Sequence, residues 1–262
     1  MENAMLQVAL DAALEAGKFL RMNVGKVKHV ERKQGQETNL VTEIDKKAEE
    51  LIIRKIRNRF GNHHFLGEES GGNQSTSDYK WIIDPLDGTT NFTHGLPIYC
   101  VSIGLEFQGE LILGAVYDPN YDELFSAEKG KGAFLNGRRI RVSTISKLID
   151  SLLVTGFPYD VRTKADSLLR HFNNFLMETQ AVRRLGSAAL DLCYVACARF
   201  DGFWEAALNP WDIAAGVLII EEAGGTYTDL RGFPSSIYNK ELLVSNGIIH
   251  DQMVDVLKRG LK

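Results

Sequence analysis

Trp81-Ile82-Ile83-Asp84-Pro85-Leu86-Asp87-Gly88-Thr89-Thr90 is the stretch that decides the fold. An apolar run ending in a carboxylate marks a buried strand reaching the end of its sheet. Pro85 lacks an N–H and fixes φ, so the strand is expected to stop at Asp84. Asp87 follows three residues later, and Gly-Thr-Thr is then expected to open a helix. Further β-like runs surround this segment at 63–67, 79–84, 98–106, 110–117 and 121–127, with a surface loop at 71–77. Gln108-Gly109 and Asp118-Pro-Asn-Tyr121 separate two pairs of runs, and Asn136-Gly137 is a type I′ hairpin signal between Gly132–Leu135 and Arg138–Val142. Turns this short join antiparallel strands. On the N-terminal side, Met5, Val8, Ala9, Ala12, Ala16, Phe19 and Leu20 form a helical stripe over 3–22. Thr42 opens a second helix that ends near Phe60-Gly61, and the polar segment 25–40 between them is expected to be an extended arm or loop.

Beyond about residue 145 the pattern alternates. A strand (151–156) precedes a helix (164–180), a second helix (187–199) precedes a strand (201–206), and a helix (210–223) leads to strands near 225–229 and 241–245 and a last helix over 249–260. This alternation predicts an α/β layer arrangement. The expected architecture is one unit over 1–262, with an α+β half over 1–145 and an α/β half over 146–262.

The 262 residues are 44% apolar and 24% charged, which excludes disordered, collagen-like and coiled-coil classes. The net charge of −4 supplies no basic surplus for nucleic-acid or membrane binding. Cys100, Cys193 and Cys197 lack metal-ligand spacing and are expected to be buried thiols of a cytoplasmic protein. The start of the chain has no basic segment leading into an apolar one, so no secretory signal is expected. The longest apolar run, Ile213–Ile220, is far short of the ~20 residues of a membrane span.

Asp84 and Asp87 would repel each other at the end of a buried strand unless a cation or proton lay between them. Mg²⁺ takes oxygen ligands and suits such a pair, and N–H groups of Gly88 and Thr89 at a helix start suit a phosphate oxygen. Gly67-Glu68-Glu69-Ser70 places two acids just before this strand. Asn209-Pro210-Trp211-Asp212 has N-cap, N1 and N3 spacing, and Thr42-x-x-Asp45 resembles a capping box. A cap and a metal ligand are compatible, since a carboxylate has two oxygens. His63, His64 and His94 lack partners for catalysis, and no GxSxG elbow, Walker A loop or HExxH is present.

Taken in order, Asn39–Asp45, Gly67–Ser70, Trp81–Asn91, Gly186-Ser-Ala-Ala-Leu-Asp191 and Trp211–Gly216 make the chain resemble the inositol monophosphatase family, within the Mg²⁺-dependent, Li⁺-sensitive sugar phosphatases. The resemblance implies a layered αβαβα sandwich, a homodimer and two or three Mg²⁺ per site. By motif, Glu68, Asp84, Asp87, Asp212 and the Leu86 carbonyl would hold the metals: Glu68 and Asp84 one ion, Asp84, Asp87 and Asp212 the second, with a weaker third near Glu68. Gly88 and Thr89 would bind phosphate, and Asp45 with Thr89 would orient the attacking water. Asp87, Gly186, Ser187, Ala188, Glu205 and Asp212 match substrate contacts, and Lys33 is the nearest match to a lysine of the family's first arm. The implied reaction is hydrolysis of a small sugar phosphate by activated water with no covalent intermediate. Alternatives are a fructose 1,6-bisphosphatase, for which Arg183 and Arg184 are candidate contacts to a second phosphate, a 3′-phosphoadenosine-type nucleotidase, and a transcription-complex or other protein-binding factor. The segment Thr155-Gly-Phe-Pro158 looks more like bacterial and archaeal members than animal ones.

Overall fold

Helix α1 (Glu2–Asn23) forms from the N-terminal stripe, and β1 (Val30–Arg32) and β2 (Leu40–Thr42) follow it as an antiparallel ribbon within the segment expected to be an arm or loop. The structure, a computed structural model, describes residues 2–26, 30–32, 40–72, 75–158 and 161–259. Lys33 and residues 73–74 lie outside them, and the segment expected to be a surface loop from residue 71 instead begins with a short strand at Gly71–Gly72. Helix α2 (Glu43–Arg57) begins at the Thr42 capping box: Thr42 Oγ1 accepts from Ile44 N and Asp45 N, while the Asp45 carboxylate accepts from Thr42 N.

The strands that follow are β3 (His64–Gly67), β4 (Gly71–Gly72), β5 (Tyr79–Asp87), β6 (Cys100–Phe107), β7 (Glu110–Asp118), β8 (Glu123–Glu128), β9 (Gly132–Leu135) and β10 (Arg138–Arg139). They build an eight-stranded sheet in the order β10-β9-β8-β7-β6-β5-β3-β4, antiparallel throughout except for the parallel pair β3–β5. Strand β5 runs past the stop expected at Asp84. The strand does not stop at Pro85 but continues to Asp87, with its register against β6 shifted between Asp84 and Asp87. Proline is tolerated there because a bulge asks no ladder N–H of it.

The second half gives β11 (Leu152–Thr155), α4 (Val161–Glu178), β12 (Ala181–Arg183), α5 (Ala188–Ala196), β13 (Gly202–Ala206), α6 (Pro210–Glu222), β14 (Thr226–Thr228), β15 (Glu241–Ser245) and α7 (His250–Lys258), with α3 (Thr89–Thr93) directly after β5. Strand β12 is not expected from the sequence; it has three residues and one buried side chain, Val182. The smaller sheet runs β12-β11-β13-β15-β14, with β11 parallel to both its neighbours and β15 antiparallel to both of its own.

The layers follow from which faces are apolar. Helices α1 and α2 cover one face of the large sheet, with Ile52, Trp81, Ile103 and Leu105 in their shared core. Helices α5 and α6 fill the space between the sheets, and α4 and α7 cover the outer face of the small sheet around Phe175, Trp204 and Met253. The result is a layered αβαβα sandwich. The apolar run Ile213–Ile220 is thereby explained, because a helix between two sheets is apolar all round. Among the described residues no helix is long and apolar enough to cross a membrane. The three cysteines are free thiols, Cys100 and Cys193 buried and Cys197 half-buried.

Helix α6 lies against the sheet through small residues. Gly104 and Gly114 face each other across β6 and β7. A Cβ on Gly114 would stand 2.6 Å from the Ala215 carbonyl, and one on Gly104 would stand 2.9 Å from Ala214 Cβ. Side chains at either position would lift the helix and carry Asp212, in its first turn, away from β5.

Candidate active site

The turn after β5 is shaped by Gly88, which has φ +98° and caps α3; a Cβ there would also meet the Ile98 carbonyl at 2.8 Å. Asp84 Oδ1 accepts from Leu86 N at 3.0 Å, closing the turn locally. Thr89 Oγ1 lies 3.0 Å from Asp45 Oδ1 and 3.1 Å from the Leu86 carbonyl oxygen. Asp45 uses its other oxygen, Oδ2, as the cap for Thr42 N at 2.9 Å and also accepts from the Thr42 hydroxyl. The capping role and the place beside Thr89 are therefore compatible, one on each oxygen. Burial raises the Asp45 carboxyl to about 6, against the lowering effect of its Thr42 hydrogen bonds.

Asp87 Oδ2 reaches across to α5, accepting from Ser187 Oγ and Ala189 N, both at 2.7 Å. Ser187 is the N-cap of α5 by position, yet its hydroxyl turns to Asp87 rather than to its own helix. Asp87 thus occupies the positive end of that helix, although burial still lifts its carboxyl to about 6. Asp212 caps α6 through Asn209 N at 2.7 Å, in keeping with its N3 spacing. The backbone of Glu68 is fixed by a 3.1 Å hydrogen bond from its N–H to the Ile83 carbonyl.

Asp84 lies within reach of the charges of Glu68, Asp87 and Asp212. Burial, the charges of Glu68, Asp87 and Asp212, and a hydrogen bond with Glu68 all push the Asp84 carboxyl well above its ordinary range. Burial and Glu68 do the same to Asp212. Among the described residues no three His, Cys, Asp or Glu side chains close on a single point as a finished cation cage would. Buried acids this close raise one another's carboxyls unless a proton or a cation offsets their charge. The donor set is all oxygen and all anionic, which fits a hard divalent ion.

Residues 183–191 and 205 border the same acids. Gly186 has φ +90° and approaches Arg184 and Asn91. Asn91 Nδ2 donates to the carbonyls of Ile98 and Leu185 at 2.8 and 2.9 Å, tying the α3 turn to the start of α5. Ala188 opens α5, its backbone N–H helping to hold Asp87. The Glu205 carboxylate lies over Gly156, where a Cβ would fall 2.1 Å from Oε2. Burial, then Asp212 and Asp87, raise Glu205 to about 8, with Arg184 opposing. Arg184 therefore sits close to this acidic group, whereas the guanidinium of Arg183 bonds the Val182 carbonyl at 3.1 Å.

Two residues at the site are not singled out by the sequence. Asp191 is 1% exposed, its Oδ1 has no hydrogen-bond partner, and burial with Glu205 and Asp87 lifts its carboxyl well above normal. Its signal is a lone acid in the apolar helix Ala-Ala-Leu-Asp-Leu-Cys. Asn91 has none beyond its place in the motif. His63, by contrast, is structural: it stacks on Phe60 and Tyr79 and accepts from Trp81 Nε1 at 3.0 Å.

The raised carboxyls have a consequence for stability. Between pH 4.5 and about 8 folded Glu205 keeps a proton that the unfolded chain releases, so stability falls as pH rises through that window. In chelator, Glu205→Gln is expected to flatten this decline and gain on the order of 1–3 kcal/mol at pH 8. Thermal melts of both proteins from pH 5 to 8.5 check it; parallel curves would refute the assignment.

The family model described as the inositol monophosphatase family matches residues 1–260. The chain is 42% identical to the inositol-1-monophosphatase of Mesorhizobium japonicum over 260 residues, covering 99% of this chain and 98% of that one. It is also 42% identical to the fructose-1,6-bisphosphatase/inositol-1-monophosphatase of Aquifex aeolicus over 264 residues, covering 100% and 99%. Among solved structures it resembles the extragenic suppressor protein suhB from Bartonella henselae, with TM-score 0.94 and 40% identity over 98% of this chain and 100% of that one.

Proposed function

The chain belongs to the inositol monophosphatase family and is a phosphatase, and we propose that it hydrolyses inositol 1-phosphate or a related small sugar phosphate with Mg²⁺ as cofactor. The observation that carries this reading is that Asp84 feels the charges of Glu68, Asp87 and Asp212 while Thr89 lies 3.0 Å from Asp45 in the same turn. The family is generally metal-dependent. In this reading Glu68 and Asp84 would hold one ion and Asp84, Asp87 and Asp212 another, with the Leu86 carbonyl as a further oxygen donor and a third ion near Glu68. When bound, divalent ions offset the carboxylate charge for an incoming phosphate and lower the pKa of the attacking water.

The residues do the rest. Backbone N–H groups of Gly88 and Thr89 at the start of α3 would hold phosphate oxygens. The Thr89 hydroxyl orients the attacking water, and Asp45 takes the proton through it, with a carboxyl near 6 suited to that task at neutral pH. Glu205 and Asp212, with residues 186–188, would meet the hydroxyls of the leaving group. Since these groups come from both halves of the chain, we take 1–262 as one functional unit. The same reading carries lithium inhibition, a homodimer and a cytoplasmic location.

Arg184, lying near Glu205, favours a second reading in which a second phosphate is bound, as in fructose 1,6-bisphosphate. Phosphate release from inositol 1-phosphate, fructose 1,6-bisphosphate, 3′-phosphoadenosine 5′-phosphate and glycerol phosphate, each with Mg²⁺ and with added Li⁺, tests both. The highest kcat/KM is expected for inositol 1-phosphate. A preference for the bisphosphate would establish the second reading, and no release from any of the four would overturn both.

A further inference from the structure

We propose that Glu49 is a positioning residue that sets the metal-site acid Glu68, making α2 a rigid spacer between that acid and Asp45; this rests on the metal-dependent reading above. Glu49 is 2% exposed and stands one helical turn after Asp45, on the same face of α2. Its two carboxylate oxygens are spent on the loop after β3: Oε2 accepts from Glu69 N at 2.9 Å and Oε1 from Ser70 N at 2.8 Å. The approach is close enough to require a glycine, since a Cβ on Gly67 would fall 2.4 Å from Oε2. On its other side the loop is pinned to β5 by the bond from Glu68 N to the Ile83 carbonyl.

Glu68 is thus flanked by fixed backbone on both sides, at Gly67 and at Glu69–Ser70, and Glu49 supplies the second of these anchors. Burying a carboxylate against backbone N–H groups is a costly way to fill space, and an apolar side chain would pack the same point more cheaply. What the carboxylate adds is direction: two N–H groups in succession can point at one acceptor only if the loop takes a single conformation. Because Asp45 and Glu49 share one helix, the proton acceptor and the loop bearing Glu68 are held at a fixed separation.

The test uses the full chain, with Mn²⁺ as the probe ion. Glu49→Gln keeps the shape but loses one acceptor, Glu49→Ala loses both, and Gly67→Ala displaces the carboxylate from the loop side. In chelator, the Glu69 and Ser70 amides of Glu49→Ala are expected to exchange hydrogen at least ~10-fold faster, with the rest of α2 unchanged. Mn²⁺ dissociation constants by calorimetry should rise about 10–100-fold in Glu49→Ala and Gly67→Ala, and less in Glu49→Gln. KM for Mg²⁺ should follow, while kcat at saturating Mg²⁺ stays within about threefold. A side chain that merely stabilised the fold would lower the melting temperature without this split. Should Glu49→Ala fail to fold, Glu49→Gln and Gly67→Ala decide. Folded variants with parental Mn²⁺ affinity overturn the inference alone, whereas parent protein that binds no Mn²⁺ overturns it together with the metal reading.

Discussion

Asp87→Asn is expected to lower kcat/KM by about 10³-fold or more while the protein melts within a few degrees of its parent. The two parts of this result come from the two oxygens. Oδ2 is committed to α5, accepting from Ser187 and Ala189. An asparagine can aim its single carbonyl oxygen at those donors and keep the bridge between β5 and α5. What it cannot keep is the negative charge shared with Asp84 and Asp212. In the proposed reading Asp87 would help hold the cations that face the phosphate, and a 10³-fold loss corresponds to about 4 kcal/mol at ~1.36 kcal/mol per decade of rate. The fold does not suffer, because burial has already raised this carboxyl to about 6 and its ionisation costs stability at neutral pH. Steady-state rates across a Mg²⁺ series, with a melting curve for each protein, check the prediction. Near-parental turnover at saturating Mg²⁺ would remove Asp87 from the site.

The second large effect concerns the proton. Asp45→Asn is expected to reduce kcat by about 10²–10⁴-fold with Mg²⁺ affinity nearly unchanged. An amide can satisfy Thr42 through its oxygen, so the start of α2 survives. Its nitrogen then faces the Thr89 hydroxyl, which is left to donate to the Leu86 carbonyl and has no base behind it. The pH profile is the sharper readout. With a carboxyl at about 6, the parent should lose activity as pH falls through that value, because the protonated acid no longer accepts. The variant should show a low rate without that limb. An unchanged limb would mean that another group takes the proton.

Much of this arrangement is legible in the order of the amino acids. The alternation that predicts strands flanking 81–84 and the hairpin at Asn136-Gly137 is local information, and the β-ladders follow it. Asp45 and Asp212 are visible as caps because capping has fixed spacing: Asp45 completes a capping box with Thr42, and Asp212 accepts from Asn209 N. The second role proposed for them is invisible in spacing, since it would depend on helices far apart in the chain; the family resemblance alone suggests it. The end of β5 is misplaced by a sequence reading because a proline is compatible with a strand when a bulge excuses its missing N–H, and a bulge has no clear sequence mark. Strand β12 and the β1–β2 ribbon are too short to carry a period. Glu49 carries no mark in the sequence, because its burial depends on a glycine eighteen residues later.

The order of strands in the small sheet has a bearing on how the protein comes into being. Strand β15 (Glu241–Ser245) lies between β13 and β14 and supplies an edge to each. During synthesis, therefore, β13 and the Glu205 it carries wait for almost the whole chain before their ladder is closed. The large sheet and its two covering helices are complete by residue 139 and can settle first. The acids of residues 45–87 are then gathered early, but Asp212 joins them only through a helix clamped between both sheets. A chain stopped before Glu241 would therefore carry Asp45, Glu68, Asp84, Asp87 and Asp212 on elements whose small sheet lacks its joining strand.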